Sequence, residues 1–365
     1  MKRLQQFGFG IATISFLFAL VMYVMGMGGQ TGIPVIIGFV GLIVGMMLSE
    51  PLKGYVFSVL IFMSVALAMY YPSLFQTIGE FELKGLIIPI LMVIMFGMGT
   101  SMSVEDFLGV LRMPKGVLVG IICQFTIMPF VGLGLASLSG FPPEIAAGII
   151  LIGCSPSGLA SNVMSYISKS NLALSLTLTM IATLLAPFIT PFLMQLLADQ
   201  LVPIDFLSMM QSILKIVIGP VVLGLILNTI LKGERFERVK KILPLVSMAG
   251  IVLIIAIITA AGRDSMLTIG WILMLVVVVH NVSGYFLGYL LGKGVGLDEA
   301  SARTVAFEVG MQNGGLASGI ALEMGKLATM GLAPALFGPF MNISGSILAT
   351  VWKERPMEIK DETLE

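Results

Sequence analysis

The chain has 365 residues, of which 57% are hydrophobic and 11% charged, and its mean hydropathy is +1.04. Soluble domains carry about 25% charged residues, so most of this surface has to face hydrocarbon rather than water. Formal net charge is zero and the basic residues form no dense cluster, which argues against a nucleic-acid partner.

At the N-terminus, Lys2 and Arg3 precede an apolar run over 7–27, superficially the layout of a secretory signal. The run is long for one and ends in Met25-Gly-Met-Gly-Gly-Gln rather than a small-x-small cleavage site, so it reads as a retained span. A spanning helix needs about 20 mostly apolar residues. Further segments of that kind fall at 33–49, 54–72, 85–101, 117–138, 146–168, 171–198, 208–231, 243–261, 268–291, 302–323 and 330–352, which with 8–27 makes twelve. The second is the shortest.

Loop charge supports this count. With the N-terminus inside, cytoplasmic stretches carry Lys2, Arg3, Lys53, Arg112, Lys115, Lys169, Lys232, Arg235, Arg238, Lys240, Lys241, Lys293, Arg303, Lys353, Arg355 and Lys360. The opposite side carries Lys84, Arg263 and Lys326, while Lys215 falls inside the eighth span and reads as a snorkelling side chain. Sixteen against three is the bias of the positive-inside rule, and a missed helix would scramble it. Both ends are therefore expected in the cytoplasm of a cell with this protein in its inner or plasma membrane, a bacterial one by the look of the chain. Loops are short and the polar tail 353–365 is too small to fold, so no soluble domain and no tethered soluble enzyme is expected.

Two spans echo each other. The sixth contains Ser157-Gly158-Leu159-Ala160-Ser161-Asn162 and the eleventh Asn313-Gly314-Gly315-Leu316-Ala317-Ser318, with the shared Gly-Leu-Ala-Ser words 157 positions apart. Five spans separate them, an odd number, so the two segments cross in opposite directions. The predicted fold is all-α and polytopic, with spans three to seven (54–200) and eight to twelve (208–352) as inverted repeats and 1–50 as an added hairpin. Pro156 with Gly158, and Gly310 with Gly314 and Gly315, interrupt these two helices. Interrupted helices in matching positions of inverted halves mark a transporter binding site near mid-membrane, against the plainer reading of two kinked packing helices.

Charge inside a bilayer requires a partner. Glu308 is the only carboxylate well inside a predicted span, with Gln312 one turn on and Asn313 beside it. Burial alone favours its neutral form and a bound cation its ionised form. Ser161 and Asn162 stand at the break in the sixth span, Ser175 and Thr179 share one face of the seventh, and Gln124 is midway through the fifth. Each alone reads as an interhelical hydrogen bond; together they offer oxygen-only coordination suited to a hard ion. Cys123 and Cys154 read as small packing residues, and the lone histidine, His280, with Asn281, as an interior contact or a proton relay.

Gly158-Leu-Ala-Ser-Asn-Val-Met-Ser-Tyr, Asn171-Leu-Ala-Leu-Ser-Leu-Thr-Leu-Thr, Glu308-Val-Gly-Met-Gln-Asn, Val279-His-Asn and Met341-Asn-Ile-Ser-Gly-Ser resemble the bile acid:sodium symporter family from about residue 54 to 352. The resemblance implies a panel (54–101 and 208–261) and a core (117–198 and 268–352) with two discontinuous helices crossing in the core. It implies one sodium site at Ser161, Asn162, Ser175, Thr179 and Glu308, and a second at Gln124, Glu308, Gln312 and the carbonyls of Val309 and Met311. The organic anion, a bile acid or another carboxylate or sulfonate, is implied near Leu159, Asn313, Met341 and Asn342. Leu159 and Met341 stand where relatives often carry a small polar residue and a histidine, which makes the expected cavity more apolar. The implied activity is sodium-coupled import by alternating access, with Na⁺ as coupling ion, no cofactor and no enzymatic step. The alternatives are proton coupling through Glu308 on the same scaffold, a channel, and an intramembrane hydrolase. Against the last, no Gly-x-Ser-x-Gly surrounds Ser155 or Ser157.

Overall fold

The computed structural model describes residues 2–50, 52–103, 110–231 and 234–355; Lys232 and the tail beyond Arg355, with Lys360, lie outside the described residues. The helices are α1 (Lys2–Val24), α2 (Gly32–Met47), α3 (Val56–Tyr70), α4 (Ile87–Thr100), α5 (Pro114–Ser139), α6 (Pro143–Cys154), α7 (Ala160–Ile167) and α8 (Leu172–Ala198). They continue with α9 (Phe206–Ile213), α10 (Gly219–Ile230), α11 (Glu234–Ala261), α12 (Arg263–Gly294), α13 (Glu299–Gly310), α14 (Gly314–Glu323) and α15 (Leu332–Glu354).

Among the described residues, nine helical segments are long and apolar enough to cross a membrane, α9 and α10 counting as one through a π turn at Leu214–Ile218. The shorter α2 and the paired half-helices α6–α7 and α13–α14 bring the crossings to the twelve expected. Several helices outrun their apolar cores. Helix α11 begins at Glu234 and α1 at Lys2, because polar first turns stay helical beyond the hydrocarbon, where a hydropathy window no longer sees them. Between α3 and α4, Thr77–Ile78 pairs antiparallel with Phe81–Glu82 around Gly79 (φ +61°), a small strand pair that the all-α expectation lacked.

Helix α4 packs against α10 and α11, and α3 against α11, forming one layer. The approach of α4 to α10 is set by small residues: a Cβ on Gly99 would stand 2.1 Å from the Val221 carbonyl oxygen, and one on Gly224 2.4 Å from that of Phe96. The second layer holds α5–α8 and α12–α15, with α5 on α6, α12 on α13, and α5 on α12. The hairpin α1–α2 closes through Gly8 against Gly41 and Gly45, and α2 leans on α3, where Thr31 Oγ1 and Tyr70 Oη lie 2.7 Å apart.

The two interrupted helices meet at their breaks. The Gly158 amide donates to the Met311 carbonyl (2.9 Å) and the Asn313 amide to the Pro156 carbonyl (2.8 Å), leaving Ser157 opposite Gln312 in an antiparallel bridge. That register sets Pro156 against Asn313, 157 positions apart, the same offset as the Gly-Leu-Ala-Ser echo. A local two-fold axis therefore passes between these two residues.

Overpacking a close helix contact costs about 1–3 kcal/mol. Gly99→Val is expected to lower the thermal midpoint of the purified protein by several degrees, whereas Gly29→Val, which has open space around it, leaves the midpoint unchanged. An unshifted Gly99→Val midpoint would contradict the α4–α10 contact.

Candidate cation and substrate site at the helix crossing

Helix α6 stops at Cys154 because Pro156 removes a backbone donor and Ser155 takes extended geometry (ψ 152°). Helix α13 stops at Gly310, and α14 restarts at Gly314 under the Asn313 side chain, whose Oδ1 accepts from the Leu316 amide (3.0 Å). The interruptions leave carbonyls at mid-membrane that need partners. Amide side chains reach two of them: Gln124 Nε2 donates to the Ser155 carbonyl (2.9 Å) and Asn281 Nδ2 to that of Gly310 (2.7 Å).

Glu308, 1% exposed, lies two residues before the end of α13. Its Oε1 accepts from Ser175 Oγ (2.6 Å) and its Oε2 from Ser157 Oγ (2.6 Å), while Thr179 Oγ1 stands 3.1 and 2.9 Å from the two. Asn162 Oδ1 faces the same hydroxyls, 2.8 Å from Ser175 and 3.2 Å from Thr179. Ser161 Oγ, 3.3 Å from Thr179, spends its proton on the Gly158 carbonyl. Each hydroxyl has one proton to donate. Ser157, Ser175 and Thr179 together supply one proton to each of the three acceptor oxygens, Glu308 Oε1, Glu308 Oε2 and Asn162 Oδ1, so none is left over. Among the described residues no basic side chain pairs with Glu308.

Beside this cluster, Gln124 Nε2 also donates to Gln312 Oε1 (2.9 Å), and Gln312 Nε2 to the Val309 carbonyl (2.6 Å). The Met311 carbonyl is the acceptor in the cross-bridge to Gly158. Gln124 Oε1 is buried without a partner among the described residues, an orphan oxygen of the kind a cation satisfies. The structure thus brings both predicted ligand sets to the crossing, with Glu308 next to each.

Leu159, Asn313, Met341 and Asn342 all line one cavity of about 350 Å³ between the α3–α4–α11 layer and the crossing. The remaining wall is apolar apart from Ser101, Ser247, Gln312 and Ser318, and no described lining residue is charged. Asn342 Nδ2 is held by the Gly338 carbonyl (2.7 Å). The N-termini of α7 and α14 border this space through Leu159, Ala160, Gly314 and Gly315, and a helix N-terminus favours an anion.

The chain matches the sodium bile acid symporter family over residues 88–269. It is 40% identical over 303 residues to the Bacillus subtilis sodium-dependent transporter YocS, covering 83% of this chain and 92% of that one. The chain belongs to the sodium bile acid symporter family. Within that family it is also 31% identical over 272 residues to a probable sodium/metabolite cotransporter, the chloroplastic BASS1 of Arabidopsis thaliana (74% of this chain, 68% of the relative). To the human ileal sodium/bile acid cotransporter it is 34% identical over 257 residues (68% and 72%). The family is one of sodium-dependent transporters, and these relatives carry the names of transporters rather than enzymes.

Two site residues escaped the sequence reading of ligands. Ser157 was visible as part of the Pro156-Ser157-Gly158 break, yet its bond to Glu308 needs the crossing to bring α13 across. Asn281, read as an interior contact or relay, holds the broken end of α13 and accepts from Ser344 Oγ (2.7 Å). It stands 157 positions after Gln124, so the echo offset was the signal that could have found it. His280 is buried, with Nε2 2.9 Å from the Met128 carbonyl, which fits the interior-contact reading; both cysteines are buried free thiols.

A hydrogen bond to a charged acceptor contributes about 1.5–3 kcal/mol. Ser157→Ala is expected to raise the sodium concentration for half-maximal thermal stabilisation roughly tenfold. A wild-type midpoint would show that this hydroxyl does not hold the carboxylate.

Proposed function

We propose that this protein is a sodium-coupled symporter that imports a small organic anion by alternating access. The observation that carries this reading is the Glu308 carboxylate, buried at the crossing among hydroxyl and amide oxygens with no basic partner among the described residues. One sodium ion would be held by Ser161, Asn162, Ser175, Thr179 and Glu308. A second would be held by Gln124, Glu308, Gln312 and the carbonyls of Val309 and Met311. These are hard oxygen donors, suited to an alkali ion. A proton on Glu308 would neutralise the charge equally well. It would leave the Gln124 Oε1 orphan unserved, which favours sodium over proton coupling.

Sodium at both places would tie α7, α8 and α13 together at the breaks and so fix the amides that face the anion. Ions and anion then favour the same state, and the sodium gradient drives uptake. The anion would rest in the 350 Å³ cavity, its charged end at the N-termini of α7 and α14 and its body against Leu159 and Met341. A bile-acid-like molecule and a smaller carboxylate or sulfonate both match that chemistry. Spans three to seven and eight to twelve would act as inverted repeats, with the α3–α4–α9–α10–α11 layer as the panel.

The cavity reaches Phe57, Ser101 and Leu243, at the end of the bundle near Lys53, Lys240 and Lys241. By the charge bias this end would be cytoplasmic. At the opposite end Ser212 Oγ of α9 donates to the Glu323 carboxylate of α14 (3.3 Å) and joins the two layers. With that orientation the conformation would be the inward-facing one.

In proteoliposomes with an imposed sodium gradient, the wild type should accumulate the anion and Glu308→Ala should insert but not accumulate it. Replacing sodium with choline at a fixed pH gradient should abolish wild-type uptake. Undiminished uptake in choline would transfer the coupling to protons, and accumulation by Glu308→Ala would remove Glu308 from the mechanism.

A further inference from the structure

Three helices converge on the Glu308 cluster, and each repeats its polar chemistry one turn nearer the basic end of the bundle. On α7, Ser165 follows Ser161 by four residues; on α8, Asn171 at the cap precedes Ser175 by four; on α13, Thr304 precedes Glu308 by four. Four-residue spacing keeps each on the face of its ligand neighbour. Ser168, Ser170 and Ser301 continue the series to the loop that carries Lys169. Part of the series is fully buried, and several of its members are hydrogen-bonded to one another. Ser165 and Thr304 are 0% exposed and Ser168 1%. Thr304 Oγ1 donates to the Asn171 carbonyl (3.1 Å), Asn171 Nδ2 to Ser301 Oγ (3.2 Å), and the Ser168 and Ser170 hydroxyls lie 2.7 Å apart.

One member is unsatisfied. Ser161 and Ser168 each return a proton to a carbonyl three residues back, the ordinary habit of a buried helical hydroxyl, and Thr304 shares its proton between the Asn171 and Ala300 carbonyls. Among the described residues Ser165 Oγ has no partner, although it is completely buried. An oxygen left bare there, one turn below Ser161 on the same face, is a place for a water or an ion. The anion cavity lies elsewhere: α7 presents Leu159, Ala160 and Val163 to it, and Ser165 is not in its wall.

We propose that Ser165, with Thr304 and Asn171, forms a relay position by which sodium leaves the Glu308 cluster for the cytoplasm, along a route separate from that of the anion. The proposal rests on the sodium-coupled reading above. Neutral oxygens without a carboxylate suit a relay, since they replace water around the ion without trapping it.

The test uses purified full-length protein for sodium-dependent thermal stabilisation and proteoliposomes for ²²Na⁺ flux. Ser165→Ala should keep the sodium midpoint within about twofold while ²²Na⁺ flux at saturating sodium falls roughly fivefold or more. Ser165→Thr, which keeps the oxygen, should restore at least about half of the wild-type flux. The near-isosteric Thr304→Val should slow flux in the same way, and serves if Ser165→Ala does not fold. Wild-type flux in Ser165→Ala overturns the proposal, as does a sodium midpoint that weakens in step with flux, because Ser165 would then support binding rather than release. Failure of Ser165→Thr to recover flux with its sodium midpoint intact also overturns it. A wild type that sodium does not stabilise would instead sink the sodium-coupled reading itself, and this relay with it.

Discussion

A carboxylate 1% exposed in the middle of a membrane protein has to be neutralised by something, and the architecture around Glu308 follows from that requirement. Among the described residues no lysine, arginine or histidine does it. What surrounds the group is oxygen, delivered by three helices and by two backbone breaks. Unbroken helices would have hidden the carbonyls of Val309, Met311 and Ser155 in their own hydrogen-bond ladders. The interruptions at Pro156 and Gly310 expose them, and the antiparallel contact between Pro156 and Asn313 keeps the exposed backbone satisfied enough to persist away from water.

The scaffold is two-fold but the chemistry is not. Counting 157 positions from the ligand set, Ser161 falls on Ser318 and Gln124 on Asn281, so the polar pins of the crossing repeat. Ser175 falls on Leu332, Thr179 on Leu336, Asn162 on Gly319, and Glu308 falls back on Leu151. Leu151, Leu332 and Leu336 are all buried. One half of the crossing therefore gathers oxygen-bearing side chains where its mate packs with leucine.

The sequence made the twelve crossings, the two interrupted helices and the Glu308 neighbourhood readable because each carries a strong local signal: apolar length, proline with glycine, and a charge where none belongs. The family resemblance added the residue-by-residue ligand sets, and the crossing does bring those residues together. What remained hidden depends on partners distant in sequence. Ser157 meets Glu308 across 151 positions, and the fact that Ser165 is bare while Ser161 and Ser168 are satisfied exists only in three dimensions. The strand pair at Thr77–Glu82 was missed for a different reason: its turn hangs on Gly79, too short a signal beside two long apolar runs.

The most direct measurement of the central claim is equilibrium binding of ²²Na⁺ to purified protein by scintillation proximity, competed with Na⁺, K⁺ and protons. The account predicts saturable binding approaching two ions per molecule, displaced by unlabelled Na⁺ and not by equal K⁺, and lost in Glu308→Gln. Absence of saturable ²²Na⁺ binding, or its survival in Glu308→Gln, would contradict the account.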